Sequence, residues 1–348
     1  MAVEYKEFNW IDWIRKATNV YERLVDRESQ FLFNARFSFL KNKSLREWSQ
    51  VVDVFYDDWR YDIKLKRPEG IVIWGGGGEG NLDYWFLTGL GMKPLVYCDK
   101  NYGRKLNGLD VISPQDAVKK YPNATYLVGS LKWSAEIVDD MKKLGIPKDQ
   151  VVRPHYKMVR AERGWQYFDF FKPEDEEVFV DAGTYTGGTI ADFIKWTDGN
   201  YSKVFGMEAM PDIYNRACER FKDEPRISIS NTAAWDKQEL LLFNEDDSAS
   251  AQSAQGTLEV KGIDIDSLVS ESKVTYIKMD IEGAELKALE GSKNTILRYS
   301  PKLAICVYHH LMDFVDLASY ILELNPEYKL AFRQYMSHQG ETVLYAWV

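Results

Sequence analysis

The chain is poor in the residues that mark secreted, metal-bound or nucleic-acid-binding proteins. Its three cysteines, Cys98, Cys218 and Cys306, are scattered and odd in number. No Cys-x-x-Cys pair occurs, so neither a disulfide framework nor a zinc knuckle is expected, and a reducing, cytoplasmic setting fits. Basic residues are in deficit: 44 Lys and Arg against 53 Asp and Glu give a formal net charge of −9. Nucleic-acid grooves and anionic membrane surfaces call for basic patches, so neither partner is expected. No apolar run approaches the ~20 residues of a membrane helix. The opening MAVEYKEFNWIDW carries acids and lacks the basic-then-apolar pattern of a secretory signal. Aromatics, by contrast, reach 14%. Their ordinary place is a core, and a sugar-stacking face is the sharper alternative.

At 348 residues the chain exceeds one ordinary domain of roughly 100–200 residues. Residues 1–66 read as a helical segment. In WIDWIRKATNVYERLV, residues Trp10, Trp13, Ile14, Ala17, Val20, Tyr21 and Leu24 fall near a 3.6-residue period, and SLREWSQVVDVFYDDW repeats it after Ser44. Residues 67–153 alternate strand and helix, 154–176 connect, and the alternation restarts over 177–348. Such alternation predicts parallel sheets. The fold class is therefore α/β, with two Rossmann-like doubly wound sheets. The closing runs YKLAFRQYM and ETVLYAWV, joined by SHQG, predict an antiparallel hairpin.

Each alternating block opens on a glycine turn. In the first, IVIWGGGGEG, the residues Gly75, Gly77, Gly78 and Gly80 supply Gly-x-Gly-x-x-Gly between a strand and a helix, the setting of a dinucleotide fingerprint. Asp99 closes the next strand nineteen residues after Gly80, where a carboxylate can hold a ribose. Arg104 and Lys105 follow in a loop and could meet phosphates. No Tyr-x-x-x-Lys pattern supports nicotinamide chemistry in this block. The segment PLVYCDKNYGRKLNGLDVISPQDAV resembles the small nucleotide-sugar-binding Rossmann domains attached to sugar-modifying enzymes. The bland alternative is a turn that only packs helix on strand.

The second turn is VFVDAGTYTGG. A strand ends at Asp181, Gly183 turns the chain, and Gly187 and Gly188 open a helix. Glu208 ends the next strand, where it can accept bonds from both ribose hydroxyls. Gly183 and Gly187 are four apart, so no pyrophosphate cradle is evident. That tilts the reading toward S-adenosylmethionine, a cofactor with ribose and adenine but no phosphates. Further on, IKMDIEGAELKALEG puts Asp280 at a strand end with Glu282 two residues later, so both can face one crevice. An acid near a helix start also stabilises that helix without any function.

Together, VDAGTYTGGT, the Glu208 strand end, NTAAWD, the IDSL around Asp266, IKMDIEGAELKALEG, PKLAICVYHH with Asp313 and the terminal TVLYA resemble the FkbM family of methyltransferases. The resemblance covers roughly residues 177–348. It implies a class I methyltransferase sheet, S-adenosylmethionine as donor and O-methylation of a hydroxyl. It implies a cofactor site of Asp181, Ala182, Gly183, Tyr185, Thr186, Gly187, Glu208, Ala209, Asn231, Thr232, Ala233, Asp280 and Glu282. Within that set Asp181 and Gly183 would meet the methionine part, Glu208 the ribose and Asn231–Ala234 the adenine, with Asp280 and Glu282 near the methyl. One departure shows. Related sequences often carry Arg-His-Tyr near the end, and here the run is Arg333-Gln334-Tyr335.

Methyl transfer to a hydroxyl gains from a general base. His309 and His310, half of the four histidines, end the strand KLAICVY. His309 matches the family position; His310 and Asp280 are the alternatives. Asp280, Glu282 and His309 could also take Mg²⁺ or Mn²⁺, although no tight ligand motif supports a metal. His155 and His338 read as solvent-facing loop residues. The leading expectation is an O-methyltransferase acting on a saccharide or nucleotide-sugar-type acceptor. An NAD-dependent sugar oxidoreductase or epimerase working at Gly75–Gly80, and a non-catalytic nucleotide-sugar-binding protein, stand as rivals.

Overall fold

Ile71–Trp74 (β1), Val96–Cys98 (β2) and Thr125–Val128 (β5) are short apolar runs with every residue buried, the pattern of strands covered on both faces. The computed structural model describes residues 9–42, 69–89, 91–130, 132–152, 166–168, 170–244, 256–335 and 340–348. It divides into two compact units. One comprises Met1–Phe33, Gly164–Arg333 and Glu341–Val348; the other comprises Asn34–Arg163 and Gln334–Gly340.

The second of these units holds the first glycine turn. With Arg104–Leu106 (β3), Leu109–Ile112 (β4) and Val151–Val152 (β6), its strands run β3-β4-β2-β1-β5-β6. All are parallel to their neighbours except the β3–β4 pair. The sequence predicts a loop at Arg104 and Lys105; these residues instead form the antiparallel edge strand β3. Helices Gly78–Gly89, Pro114–Lys120 and Ser134–Lys143 connect the strands. Ser113 accepts from the Asp116 amide and Pro114 follows at the first helical position, so that helix start is written in the chain.

The other unit holds the second turn. Its main sheet is built from β7 (Glu177–Ala182), β8 (Tyr201–Met207) and β9 (Ile227–Ser230). A small side sheet follows, with β10 (Ala233–Ala234), β11 (Glu239–Phe243) and β12 (Leu258–Ile263) in the order β10-β12-β11. The main sheet resumes with β13 (Tyr276–Met279), β14 (Lys302–Cys306), β15 (Lys329–Gln334) and β16 (Thr342–Trp347). Its order is β15-β16-β14-β13-β7-β8-β9. β15 and β16, the two closing strands, lie side by side at one edge of the sheet, and β16 runs antiparallel to β14.

The aromatic content is largely core. Phe179 and Phe193 stack at 4.5 Å, and Phe168, Trp196 and Tyr276 close around them. Tyr167 and Phe168, from the segment read as a connector, are buried in this core. The N-terminal helix Trp10–Glu22 belongs to the same unit. Trp13 donates its indole N–H to Asp316 at 2.8 Å and packs edge-on to Phe314. Of its expected apolar face, Trp13, Ala17, Val20 and Leu24 are buried, whereas Trp10 and Ile14 are exposed. The second amphipathic stretch, from Ser44, lies outside the described residues, as do His155 and His338. Among the described residues no helix is long and apolar enough to cross a membrane.

Candidate active site

Strand register assembles the site. β13 pairs with β7 so that Lys278 faces Asp181 and Met279 faces Ala182. Lys278 is a lone cation in an otherwise apolar strand, and both it and Asp181 are buried. Its Nζ lies 3.0 Å from Asp181 Oδ1 and donates to the carbonyls of Ala182 at 3.2 Å and Gly183 at 2.8 Å. Burial alone would lower the Lys278 pKa, but Asp181 and Asp280 outweigh it and hold it above its ordinary value. The ammonium therefore ties the glycine turn to the neighbouring strand. Gly183 sits at φ +79°, and a Cβ there would fall on the Asp280 carbonyl oxygen. Only glycine lets the turn after β7 lie against the end of β13.

Glu208 directly follows β8. Its buried carboxylate accepts from the amides of Tyr185 at 2.8 Å and Met210 at 2.9 Å. Burial pushes its pKa up, against those two bonds. A narrow pocket of about 40 Å³ lies beside it, lined by Gly183, Glu208, Ala209, Thr232, Ala233 and Ile281 among others. So small a space admits a nucleoside only if the walls part. Glu208 is the single charged side chain among the lining residues.

Asp280, directly after β13, is held by two tyrosines. Tyr167 donates to its Oδ2 at 2.9 Å and Tyr308 to its Oδ1 at 3.1 Å. Burial would raise the Asp280 carboxyl, but Lys278, His309 and the Tyr167 hydroxyl outweigh it and keep it below its usual value. His309 follows Tyr308 and is largely, not fully, buried among three carboxylates. Nδ1 is 2.9 Å from Glu285 Oε1, and Nε2 is 3.5 Å from Asp280 Oδ1 and 3.6 Å from Glu282 Oε2. Burial would lower its pKa, yet Glu285 first, then Asp280 and Glu282, push it up to about 9. At neutral pH this imidazole is a cation. Glu285 is fixed in turn by the Ile281 amide at 2.9 Å. Glu282 holds φ +57° without being glycine, a conformation that costs on the order of 1 kcal/mol or more and concentrates at functional sites.

Residues 181–342 match the model of the methyltransferase FkbM domain. They form an FkbM methyltransferase domain. Over the longer chain, the methyltransferase FkbM from Methylobacillus flagellatus is 20% identical, with a TM-score of 0.50 over 88% of this chain and 99% of its own. That is a likeness of fold. An rRNA methylase from Streptococcus thermophilus is 14% identical, with a TM-score of 0.33 over 50% of this chain and 87% of its own. Aeropyrum pernix fibrillarin, solved with natively bound S-adenosyl-L-methionine, is 10% identical, with a TM-score of 0.31 over 50% and 66%. The comparison with curated proteins finds no match.

Within the FkbM domain the expected cofactor residues divide. Gly183, Glu208, Ala209, Thr232 and Ala233 line the pocket. Asp181 and Ala182 lie beneath the turn, fully buried, where Asp181 serves Lys278. Asn231 donates its amide to the carbonyls of Glu208 and Ala209, both at 2.9 Å, and so braces the strand end. Tyr185 is exposed at φ +49° and lends only its N–H to Glu208. The Thr186 carbonyl accepts from Arg220 at 3.2 Å. Gly187, at φ +79°, caps the helix Gly188–Trp196, and a Cβ there would strike Phe221. His310 also braces: its amide donates to Asp313 and its ring lies 3.1 Å from the Gly283 carbonyl. Asp266 of IDSL caps the helix Lys293–Tyr299 through the amides of Asn294 and Thr295.

Sequence reasoning missed Lys278, Tyr167, Tyr308 and Glu285. A lysine inside the buried run VTYIKM was the available signal for the first; the others are brought in by tertiary packing. Asp280, Glu285 and His309 can each offer one ligand atom, all within 4.8 Å of one another, so Glu285 stands where Glu282 was expected in a metal-type cluster.

In the other unit, Gly75, at φ +128°, would bring a Cβ to 2.6 Å from the Gly129 carbonyl oxygen, and Gly80 would press one onto the Gly75 carbonyl. These two glycines are packing requirements. Asp99 accepts from the amides of Gly76 at 2.6 Å and Asn101 at 2.7 Å. Arg104, expected to meet phosphates, donates instead to the carbonyls of Asn101 and Gly76, each at 3.1 Å. Lys105 pairs with Asp110 at 2.9 Å.

Proposed function

We propose that the chain is an S-adenosylmethionine-dependent O-methyltransferase acting on a hydroxyl of a saccharide or related biosynthetic intermediate. The observation that carries the reading is the chemistry of the pocket beside Gly183. It offers one carboxylate, small walls at Ala209, Thr232 and Ala233, and no cation among its lining residues. A ribose diol needs an acceptor, adenine needs flat apolar walls, and the absence of a lining cation suits a ligand without phosphates. Asp280 and Glu282 flank Ile281, which lines the pocket, and their charge favours a cationic group. Glu208 would accept from the ribose hydroxyls. The cofactor, when bound, supplies a methyl already activated on a sulfonium.

The protein's own task is to align the acceptor oxygen and relieve it of a proton. His309 is the leading base. It must first lose the proton that Glu285, Asp280 and Glu282 stabilise, so transfer accelerates with pH up to about 9. A rate flat from pH 6 to 9 moves the role to Asp280. The activity itself is tested with labelled S-adenosylmethionine and a panel of free and nucleotide-linked sugars. The hydroxyl reading expects a product whose label survives mild alkali, as the label of a methyl ether does. Release of the label marks a methyl ester and overturns the hydroxyl as acceptor.

A further inference from the structure

The methyltransferase reading leaves one large cavity unused. It lies in the unit of the first glycine turn, has about 650 Å³, and is lined by Trp74, Gly77, Gly78, Asp99, Lys132 and Trp133 among others. Pockets of roughly 300–1,000 Å³ suit small organic ligands. The cavity opens at the carboxyl ends of β1, β2 and β5. From β1 the chain crosses to β2 on one side and later returns to β5 on the other. The connections after β1 and β5 therefore diverge there, which is where open α/β sheets take ligands.

Two further observations give the ligand its chemistry. First, the fingerprint glycines separate by cause. Gly75 and Gly80 are demanded by packing, but Gly77 and Gly78 lie outside the left-handed region and a Cβ on either would meet nothing within 4 Å. The protein gives no internal reason for Gly78, the first residue of the helix. A ligand lying close to the backbone supplies the reason. Second, Asp99 repeats the arrangement of Glu208. Each carboxylate follows the second strand of its sheet, with one oxygen on an amide of the glycine turn and the other on the amide two residues ahead. The two pockets differ in their cations. None lines the pocket beside Glu208, whereas Lys132 lines this one, its ammonium 5.4 Å from the Trp133 ring centre.

We propose that this cavity binds a nucleoside 5′-diphosphate group, as carried by a nucleotide sugar or a dinucleotide. Asp99 accepts from the ribose hydroxyls. The first amides of helix Gly78–Gly89, which have no intrahelical acceptors, take the diphosphate across the bare face of Gly77 and Gly78. Lys132 adds charge, and the exposed Trp133 gives the base a ring to stack on. None of this depends on the methyltransferase reading.

Titration calorimetry on the full chain tests it, with UDP-glucose and NAD as the two candidate sources and UDP and ADP as the shared core. Saturable binding of either pair is expected, and whichever parent compound binds more tightly names the source. Gly78→Val adds methyls into open space, so thermal unfolding and S-adenosylhomocysteine affinity should be unaltered while nucleotide affinity falls at least tenfold. Asp99→Asn should weaken it too, but that side chain also holds Gly76 and Asn101, so Gly78→Val decides. Failure of all four compounds to bind at millimolar concentration, or wild-type affinity in Gly78→Val, overturns the proposal. S-adenosylhomocysteine binding in the same samples keeps that outcome separate from any failure at the methyltransferase site.

Discussion

His309 gives the sharpest quantitative test of the acidic cluster. Its ordinary pKa of 6.5 is pushed up to about 9, because three carboxylates surround a largely buried ring. A pKa raised on folding means that the folded state holds the proton more tightly. The resulting stabilisation is full below pH 6.5 and is lost as pH rises from there through 9. Its size is on the order of 3 kcal/mol, since each tenfold gain in proton affinity is worth about 1.4 kcal/mol. Proton NMR of the imidazole signals reads the midpoint directly, with His309→Gln identifying the resonance among four histidines. A midpoint near 9 is expected. Glu285→Gln removes the nearest carboxylate and should move the midpoint down by about one pH unit or more. Urea unfolding at pH 6.5 and pH 10 should show wild type losing about 3 kcal/mol more than His309→Gln. A midpoint at or below 6.5, or identical pH dependence in the two proteins, would refute the reasoning.

Three other expectations follow from single contacts. Lys278→Met leaves Asp181 as an unpaired buried charge and should cost about 3–5 kcal/mol in urea unfolding, with most of it recovered in Lys278→Met/Asp181→Leu; an equal cost in the double variant would contradict the pairing. Gly183→Ala forces a Cβ onto the Asp280 carbonyl at a position with φ +79°. Calorimetry should show S-adenosylhomocysteine binding lost, and wild-type affinity would mean that the turn does not abut β13 as described. Removal of divalent metal with EDTA should leave methyl transfer unchanged, since the protonated His309 already supplies positive charge among the carboxylates. Loss of activity restored by Mg²⁺ or Mn²⁺ would make Asp280, Glu285 and His309 metal ligands.

What could be read from the sequence was local. A strand, a glycine turn and a helix lie within twenty residues, so both turns and the strand-end acids Asp99, Glu208 and Asp280 were legible from order alone. The partners were not. Lys278 meets Asp181 only because β13 and β7 pair in one register, and no spacing along the chain encodes that register. Glu285 reads as a favourable acid in the first turn of a helix; its burial against His309 comes from where that helix packs. Tyr167 was hidden in a charged, aromatic stretch with no periodicity. The same limit applies to Asn231, expected at the adenine, and to His310, expected as an alternative base. Asn231 and His310 sit at the right places in the chain, yet their polar groups are turned onto the backbone beside the pocket.

Everything proposed for the FkbM domain depends on the pocket beside Glu208 being the S-adenosylmethionine site. Calorimetric titration of S-adenosylhomocysteine into wild type and Glu208→Ala tests this most directly. Wild type should bind, and the variant should lose on the order of 1–3 kcal/mol, roughly a five- to 150-fold weakening, as a ribose loses its buried acceptor. No binding to wild type, or equal affinity in the two proteins, would contradict it.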